Sequence, residues 1–133
     1  MPDSVPTPAA ARRRILVIDD EPLIGTVMRR MLAAEYEVVP VTSATEGLAL
    51  LQREGPFDLI MCDLMMPEMS GMDFYEALHR LDPAQADGMV FLSGGAFTAE
   101  ARAFLDRVHN ERMEKPFDTA ALRTLIRKRL PPS

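Results

Sequence analysis

Short apolar runs that alternate with helix-period segments constrain this chain more than any other feature of its sequence. From Arg14 onward, five runs have the length and composition of strands: residues 15–18, 37–41, 58–62, 89–93 and 112–114. Apolar residues at helical spacing lie between the runs, as at Leu23, Val27 and Met31. Strands without in/out alternation, joined by helix-length connections, indicate a parallel sheet covered on both faces. The pattern therefore predicts an α/β domain of three layers and five βα units.

Pro40 lies inside the second strand run and restricts the order of the strands. Proline cannot donate a hydrogen bond to a sheet ladder, so it occurs at edge strands, strand starts or bulges. The doubly wound order 2-1-3-4-5 places the second strand at an edge and keeps the first and third strands adjacent. In that order ligands bind at the carboxyl ends of the strands. We expect this order by analogy with other doubly wound α/β folds.

The first 13 residues are predicted to be a disordered leader or a linker. Residues 1–11 hold three prolines and have no hydrophobic periodicity, which is typical of disordered chain. The folded domain is then expected at residues 14–130, with residues 131–133 as a tail. Because only these three residues follow Leu130, we expect any output to pass through protein contact.

Composition excludes several classes of function. The longest apolar runs have four residues, far fewer than the roughly 20 needed to cross a bilayer. The single cysteine, Cys62, cannot form an internal disulfide. We therefore expect a cytoplasmic protein without a membrane span. The formal net charge of −5 argues against direct binding of nucleic acid, which needs an excess of basic residues.

Charged and hydroxyl side chains follow four of the five predicted strands. Asp19 and Asp20 follow the first, Asp63 the third, Ser93 the fourth and Lys115 the fifth. The carboxyl ends of parallel strands converge on one edge of the sheet. Three carboxylates held together repel one another and require a compensating cation. A hard divalent ion such as Mg²⁺, which binds carboxylates, waters and phosphate oxygens, meets this need.

This group of side chains favours phosphoryl transfer over nucleotide binding. The turn after the first strand lacks the glycines and free amides that bind phosphate, so FMN and NAD are disfavoured. Asp63 is the candidate nucleophile, because carboxylates form acyl phosphates. The ammonium of Lys115 and the hydroxyl of Ser93 are candidates to stabilise the transferred group.

Four segments, ILVIDDEP, DLIMCDLMMPEMSGMDF, FLSGG and EKPF, together resemble the receiver domain of two-component response regulators. The similarity extends from about Arg14 to Leu130. It implies the flavodoxin-like fold with strand order 2-1-3-4-5. It also implies that Asp63 is the phosphoacceptor, that Ser93 is the switch hydroxyl and that Lys115 binds the phosphate.

The same resemblance implies a metal site. Asp20, Asp63 and the backbone carbonyl of Met65 would bind Mg²⁺ or Mn²⁺, and Asp19 would assist through a water molecule. The bond between Lys115 and Pro116 is expected to be cis.

The implied function is signalling rather than enzymatic turnover of a substrate. A histidine kinase or a histidine phosphotransfer protein would donate the phosphoryl group to Asp63, and the domain would catalyse only its own phosphorylation and dephosphorylation. The phosphorylated form is expected to change the surface around the fourth helix and fifth strand and to act on an unidentified protein. Residues 93–117 also resemble receivers at the C-termini of hybrid sensor histidine kinases.

One position departs from the family, and two alternatives remain open. The family usually has an aromatic residue three positions before the lysine, where this chain has Arg112. A pseudo-receiver that acts by constitutive contact, without phosphorylation, is therefore an alternative. A haloacid-dehalogenase-like phosphatase is another, but it normally has a second acid two residues after the nucleophile, where this chain has Met65.

Overall fold

Five parallel strands form the central sheet in the computed structural model, which describes residues 12–95 and 97–131. The strands are β1 (Arg13–Ile18), β2 (Tyr36–Val41), β3 (Leu59–Asp63), β4 (Val90–Ser93) and β5 (Arg112–Glu114). Their order is β2-β1-β3-β4-β5, and every neighbouring pair is parallel. The structure thus confirms the predicted α/β class and strand order.

Six helices in the described part of the chain connect and cover the strands, one more than the sequence predicted. They are α1 (Pro22–Leu32), α2 (Ala44–Glu54), α3 (Gly71–Leu81), α4 (Pro83–Asp87), α5 (Ala99–Arg107) and α6 (Thr119–Arg129). The unpredicted helix is α4, which has only five residues and is too short to show a helical period. Its start has a local signal, since the Asp82 side chain accepts a hydrogen bond from the amide of Gln85 and Pro83 takes the first helical position.

Two apolar clusters pack on opposite faces of the sheet and give the domain its three layers. Along β1 the side chains alternate between them: Leu16 and Ile18 join the cluster beneath α2 to α5, and Ile15 and Val17 join the one beneath α1 and α6. All four of these residues are fully buried. Burial on both faces explains why the strand runs are continuously apolar instead of alternating.

The edge position of β2 is consistent with Pro40 and also explains a glycine inside α1. Pro40 pairs in register with Val17 of β1, and no other strand among the described residues pairs with β2. A Cβ atom on Gly25 of α1 would lie 2.5 Å from the Cβ of Pro40. Glycine therefore allows α1 to approach the edge strand closely, which offsets its low helix propensity.

Most of the predicted leader, residues 1–11, lies outside the described residues, as do residues 132–133 of the predicted tail. Arg12 donates a hydrogen bond to the carbonyl of Ala33 at 2.8 Å, and β1 begins at Arg13. Within the described ranges, no helix has the length and apolar character needed to cross a membrane.

Candidate functional site

Three aspartates meet at the carboxyl edge of the sheet, as the sequence predicted. Asp19 and Asp20 follow β1, and Asp63 is the last residue of the adjacent strand β3. One carboxylate oxygen from each of the three lies within 4.8 Å of the other two. Asp19 is 2% exposed and Asp63 6% exposed, whereas Asp20 is open to solvent. The cluster is therefore buried on one side and accessible on the other.

Lys115 brings a positive charge to the two buried aspartates. Its Nζ atom lies 2.6 Å from Oδ2 of Asp19 and 3.4 Å from Oδ2 of Asp63. Its backbone amide donates to the carbonyl of Ser93 at 2.7 Å, which fixes the turn after β5. Burial lowers the pKa of Lys115, but its contacts with Asp19 and Asp63 outweigh that effect and raise the pKa above its ordinary value. Lys115 is therefore charged, and its bond to Pro116 is cis as expected.

One ammonium group does not neutralise three carboxylates. Burial, and then the negative charge of Asp19, raise the pKa of Asp63 to about 6, although Lys115 acts in the opposite direction. A raised carboxylate pKa means that the folded protein holds this charge at a cost. A divalent cation would remove that cost, and three carboxylates with an open side suit a hard ion that retains water ligands. The residues present thus fit Mg²⁺ or Mn²⁺.

The chain after β3 holds the Asp63 backbone in place through a close approach of α3. The amide of Leu64 donates to Leu92 of β4 at 2.8 Å, and the amide of Gly71 donates to Leu64 at 2.9 Å. A Cβ atom on Gly71 would collide with the backbone carbonyl oxygen of Asp63 and with the Cα atom of Leu64. Position 71 therefore has no room for a side chain and requires glycine. Helix α3 begins at this glycine, and Ser70 and Asp73 form its capping box.

Ser93 lies at the same edge, at the end of β4, and is 2% exposed. It is one residue beyond Leu92, which pairs in register with Asp63. Its Oγ atom accepts a hydrogen bond from the amide of Gly95 at 3.1 Å. That bond leaves the hydroxyl proton of Ser93 available to another acceptor.

Met65 takes part in the site through its backbone. A hydrogen bond from its amide to the Asp63 carboxylate partly opposes the rise in the Asp63 pKa that burial, Asp19 and Asp20 produce. The predicted role of the Met65 carbonyl as a metal ligand stays a prediction.

Arg112 does not occupy the interior beside the site. It is exposed at the start of β5, and its guanidinium carbon lies 5.9 Å from the centroid of the Phe97 ring. Sequence reasoning did not single out Phe97. The only local signal beside it was the N-cap residue Thr98, because Arg102 at the N4 position is charged and does not complete a hydrophobic staple with Phe97.

Comparison with known proteins places these residues in a family. The family model described as response regulator receiver domain matches residues 15–127. An uncharacterized 14.6 kDa protein of Leptolyngbya boryana is 33% identical over 89% of this chain and 90% of its own length. The transcriptional regulatory protein GlrR of Escherichia coli is 31% identical over 81% of this chain, which corresponds to only 24% of GlrR. The crystal structure of a CheY-like receiver domain protein from Methanospirillum hungatei superposes with a TM-score of 0.78, at 29% identity, over 90% of this chain and 94% of that one.

Proposed function

This chain belongs to the response regulator receiver domain family of two-component systems, and we propose that Asp63 accepts a phosphoryl group from a phosphohistidine of a histidine kinase or a histidine phosphotransfer protein. In this reaction a carboxylate oxygen of Asp63 attacks phosphorus and the P–N bond breaks. The histidine nitrogen leaves with the bonding electron pair and takes up a proton from solvent. The product is an acyl phosphate on Asp63, which water later hydrolyses.

The convergence of Asp63 with Lys115 and two further aspartates is the observation that carries this proposal. A pKa of about 6 leaves most of the Asp63 carboxylate ionised near neutral pH and thus nucleophilic. The Lys115 ammonium, 3.4 Å from that carboxylate, is positioned to attract a phosphoryl group attached there. The hydroxyl proton of Ser93 supplies a further donor at the same edge of the sheet.

Asp19, Asp20 and Asp63 are the residues that would hold Mg²⁺ or Mn²⁺, and we propose the Met65 carbonyl as a further ligand and a water-mediated role for Asp19. When bound, the ion supplies charge neutralisation between the acceptor carboxylate and the incoming phosphoryl oxygens. The exposed position of Asp20 leaves this side of the cluster open to a phosphorylated partner.

A protein donor is supported by apolar side chains around the site. The structure has four exposed large hydrophobic residues among those it describes, and three of them belong to segments next to the aspartates. Leu23 and Val27 lie one turn apart on α1, 63% and 48% exposed, and Met65, 41% exposed, follows Asp63 by two residues. Exposed apolar residues grouped around a polar site are typical of protein contact surfaces.

Intact mass spectrometry tests the proposal directly. The full chain incubated with Mg²⁺ and acetyl phosphate is expected to gain one phosphate, and Asp63→Asn is expected to gain none. Asp106→Asn serves as the matched control, because Asp106 is an exposed aspartate of α5. A wild-type chain that gains no phosphate would favour the pseudo-receiver, and phosphate on Asp63→Asn would place the acceptor elsewhere. Turnover of a generic phosphomonoester would favour the phosphatase alternative.

A further inference from the structure

The two histidines of this chain line the same open cavity, although they are far apart in the sequence. His79 lies in the last turn of α3, and His109 lies in the loop between α5 and β5. Both residues are exposed, and the cavity that they line, with a volume of about 510 Å³, also includes Tyr75, Asp87 and Asn110. Imidazole nitrogens are common ligands of transition-metal ions. The chemistry of this cavity therefore differs from that of the aspartate cluster at the carboxyl edge of the sheet.

Asp87, the last residue of α4, lies between the two histidines. Its Oδ1 atom is 3.6 Å from Nε2 of His79. On its other side, the side chain of Asn110 donates to the backbone carbonyl of Asp87 at 3.2 Å and to that of Met89 at 2.9 Å. His109 directly precedes Asn110. One carboxylate thus has a histidine in contact on one side and a second histidine next to its backbone partner on the other.

The pairing of β4 with β5 explains why His109 comes close to Asp87. Phe91 pairs in register with Arg112, and its amide donates to the carbonyl of Glu111 at 3.0 Å. Adjacent strands lie about 4.8 Å apart. The segments that lead into these two strands, with Asp87 on one and His109 on the other, therefore run side by side.

A buried tyrosine orients the Asp87 carboxylate. Tyr75 is 7% exposed, its hydroxyl donates to Oδ1 of Asp87 at 2.8 Å, and its ring centroid lies 5.5 Å from that of His79. Burial, and then the hydrogen bond with Asp87, raise the pKa of Tyr75 to about 12, so the hydroxyl stays protonated and remains a donor. Carboxylates and imidazoles that bind metals are typically held by outer hydrogen bonds of this kind. Among the described residues no donor contacts Oδ2 of Asp87, which keeps its lone pairs for a cation.

We propose that His79, Asp87 and His109 bind a divalent transition-metal ion such as Zn²⁺. Two imidazoles and one carboxylate, with a water molecule in the fourth position, are a ligand set that suits Zn²⁺. Among the described residues only the three aspartates have ligand atoms within 4.8 Å of one another, so binding here requires the imidazole rings to rotate toward Asp87. Both histidines are exposed, and exposed side chains change rotamer readily.

Glu76 also lines this cavity, one helical turn before His79. Its carboxylate lies 3.9 Å from the guanidinium of Arg107, and we therefore do not assign it as a ligand. The proposal does not depend on phosphorylation of Asp63, and it stands or fails separately from that reaction.

The test uses the full ¹⁵N-labelled chain without a polyhistidine tag, in excess Mg²⁺ to compete for the all-oxygen site. NMR of the imidazole nitrogens resolves the two histidines, and we expect Zn²⁺ to shift both signals together until one ion is bound. Competition with a colorimetric zinc chelator measures the affinity. His79→Gln and His109→Gln are each expected to weaken Zn²⁺ binding at least about tenfold and to remove most of the response of the remaining histidine.

Two further variants test the roles of the carboxylate and of the tyrosine. Asp87→Asn is expected to weaken Zn²⁺ binding at least as much as Tyr75→Phe, which removes only the hydroxyl and should cost about tenfold. Tyr36→Phe is the matched control, because Tyr36 is buried in the apolar cluster on the opposite face of the sheet. We expect it to leave the affinity unchanged, and circular dichroism of every variant checks that the fold is retained.

Four results would each overturn the proposal. A response of each histidine that persists unchanged in the variant of the other would mean two independent, adventitious contacts. Equal loss of affinity in Tyr36→Phe would mean that the effect is not local to the cavity. Equal loss of the histidine shifts in Asp63→Asn would place the ion at the aspartate cluster. Absence of any imidazole shift at about 1 mM Zn²⁺ would mean that these residues do not form a site.

Discussion

The two ends of the parallel sheet hold their charged residues in opposite ways. At the amino end, Arg14 of β1 lies 2.7 Å from Oε1 of Glu54 and 3.4 Å from Oε2 of Glu37, and all three side chains are partly exposed. At the carboxyl end, one lysine is shared between Asp19 and Asp63, which are almost fully buried.

The difference separates a stabilising arrangement of charges from one that holds an excess of negative charge. The hydrogen bond with Glu54 raises the pKa of Arg14. Because the Arg14, Glu37 and Glu54 side chains are partly exposed, solvent also screens their charges. The carboxyl end keeps an excess of buried negative charge. The raised pKa of Asp63 shows that ionising this carboxyl group is unfavourable there. The same residue types thus contribute to stability at one end and form, at the other, an acidic cluster that could hold a metal ion.

The largest effect is expected from Lys115→Met. Removal of this ammonium leaves Asp19 and Asp63 without a compensating charge, and we expect a loss of about 3 kcal/mol in the free energy of unfolding without divalent ions. Urea unfolding followed by circular dichroism measures it, since the chain has no tryptophan. A variant as stable as the wild type would mean that the lysine does not compensate the aspartates.

Addition of Mg²⁺ is expected to stabilise the wild-type protein. An ion that binds only the folded state should add about 1.4 kcal/mol when its free concentration is about ten times its dissociation constant. The control is NaCl at equal ionic strength, which acts on both ends of the sheet alike. An equal gain in Asp63→Asn would place the bound ion away from this carboxylate.

Asp63→Asn is expected to stabilise the metal-free protein in a pH-dependent way. The folded-state pKa of Asp63, about 6, lies above the ordinary value of 3.8. The stability that this carboxyl group contributes is therefore fully present below pH 3.8 and is lost as the pH rises through 6. Near neutral pH we expect the variant to gain about 1 kcal/mol, a value reduced by solvent screening.

The comparison for this variant is a series of urea titrations from acidic to neutral pH in the presence of a chelator. The advantage of Asp63→Asn should shrink toward acidic pH. A constant advantage would contradict the assigned titration.

Arg14→Met is expected to have an effect no larger than that of Asp63→Asn. The ion pairs of Arg14 are partly exposed. Their loss, together with the cation–π contact between Arg14 and the Phe57 ring, should lower the free energy of unfolding by about 1 kcal/mol. The same urea titration measures it, and added salt should reduce the difference because it screens exposed pairs. A loss as large as that of Lys115→Met would remove the contrast between the two ends.

Much of the fold and the site was predictable because it depends on local pattern. The apolar runs identified all five strands to within two residues, and Pro40 indicated the edge position of β2. Helix α4 was missed because five residues carry no period, although the pair Asp82 and Pro83 marks its start. The contact of the Phe97 ring with Arg112 was missed because it joins a loop to a strand that is distant in sequence.

The sequence by itself determined which side chains follow which strands, because hydrophobic periodicity sets strand positions and parallel connection brings their carboxyl ends together. Only the tertiary structure decided that Lys115 lies closer to Asp19 than to Asp63, and that the pKa of Asp63 is raised. The reason is physical: the energy of a charge depends on its distance to other charges and on its burial, and neither quantity exists until distant segments have packed together.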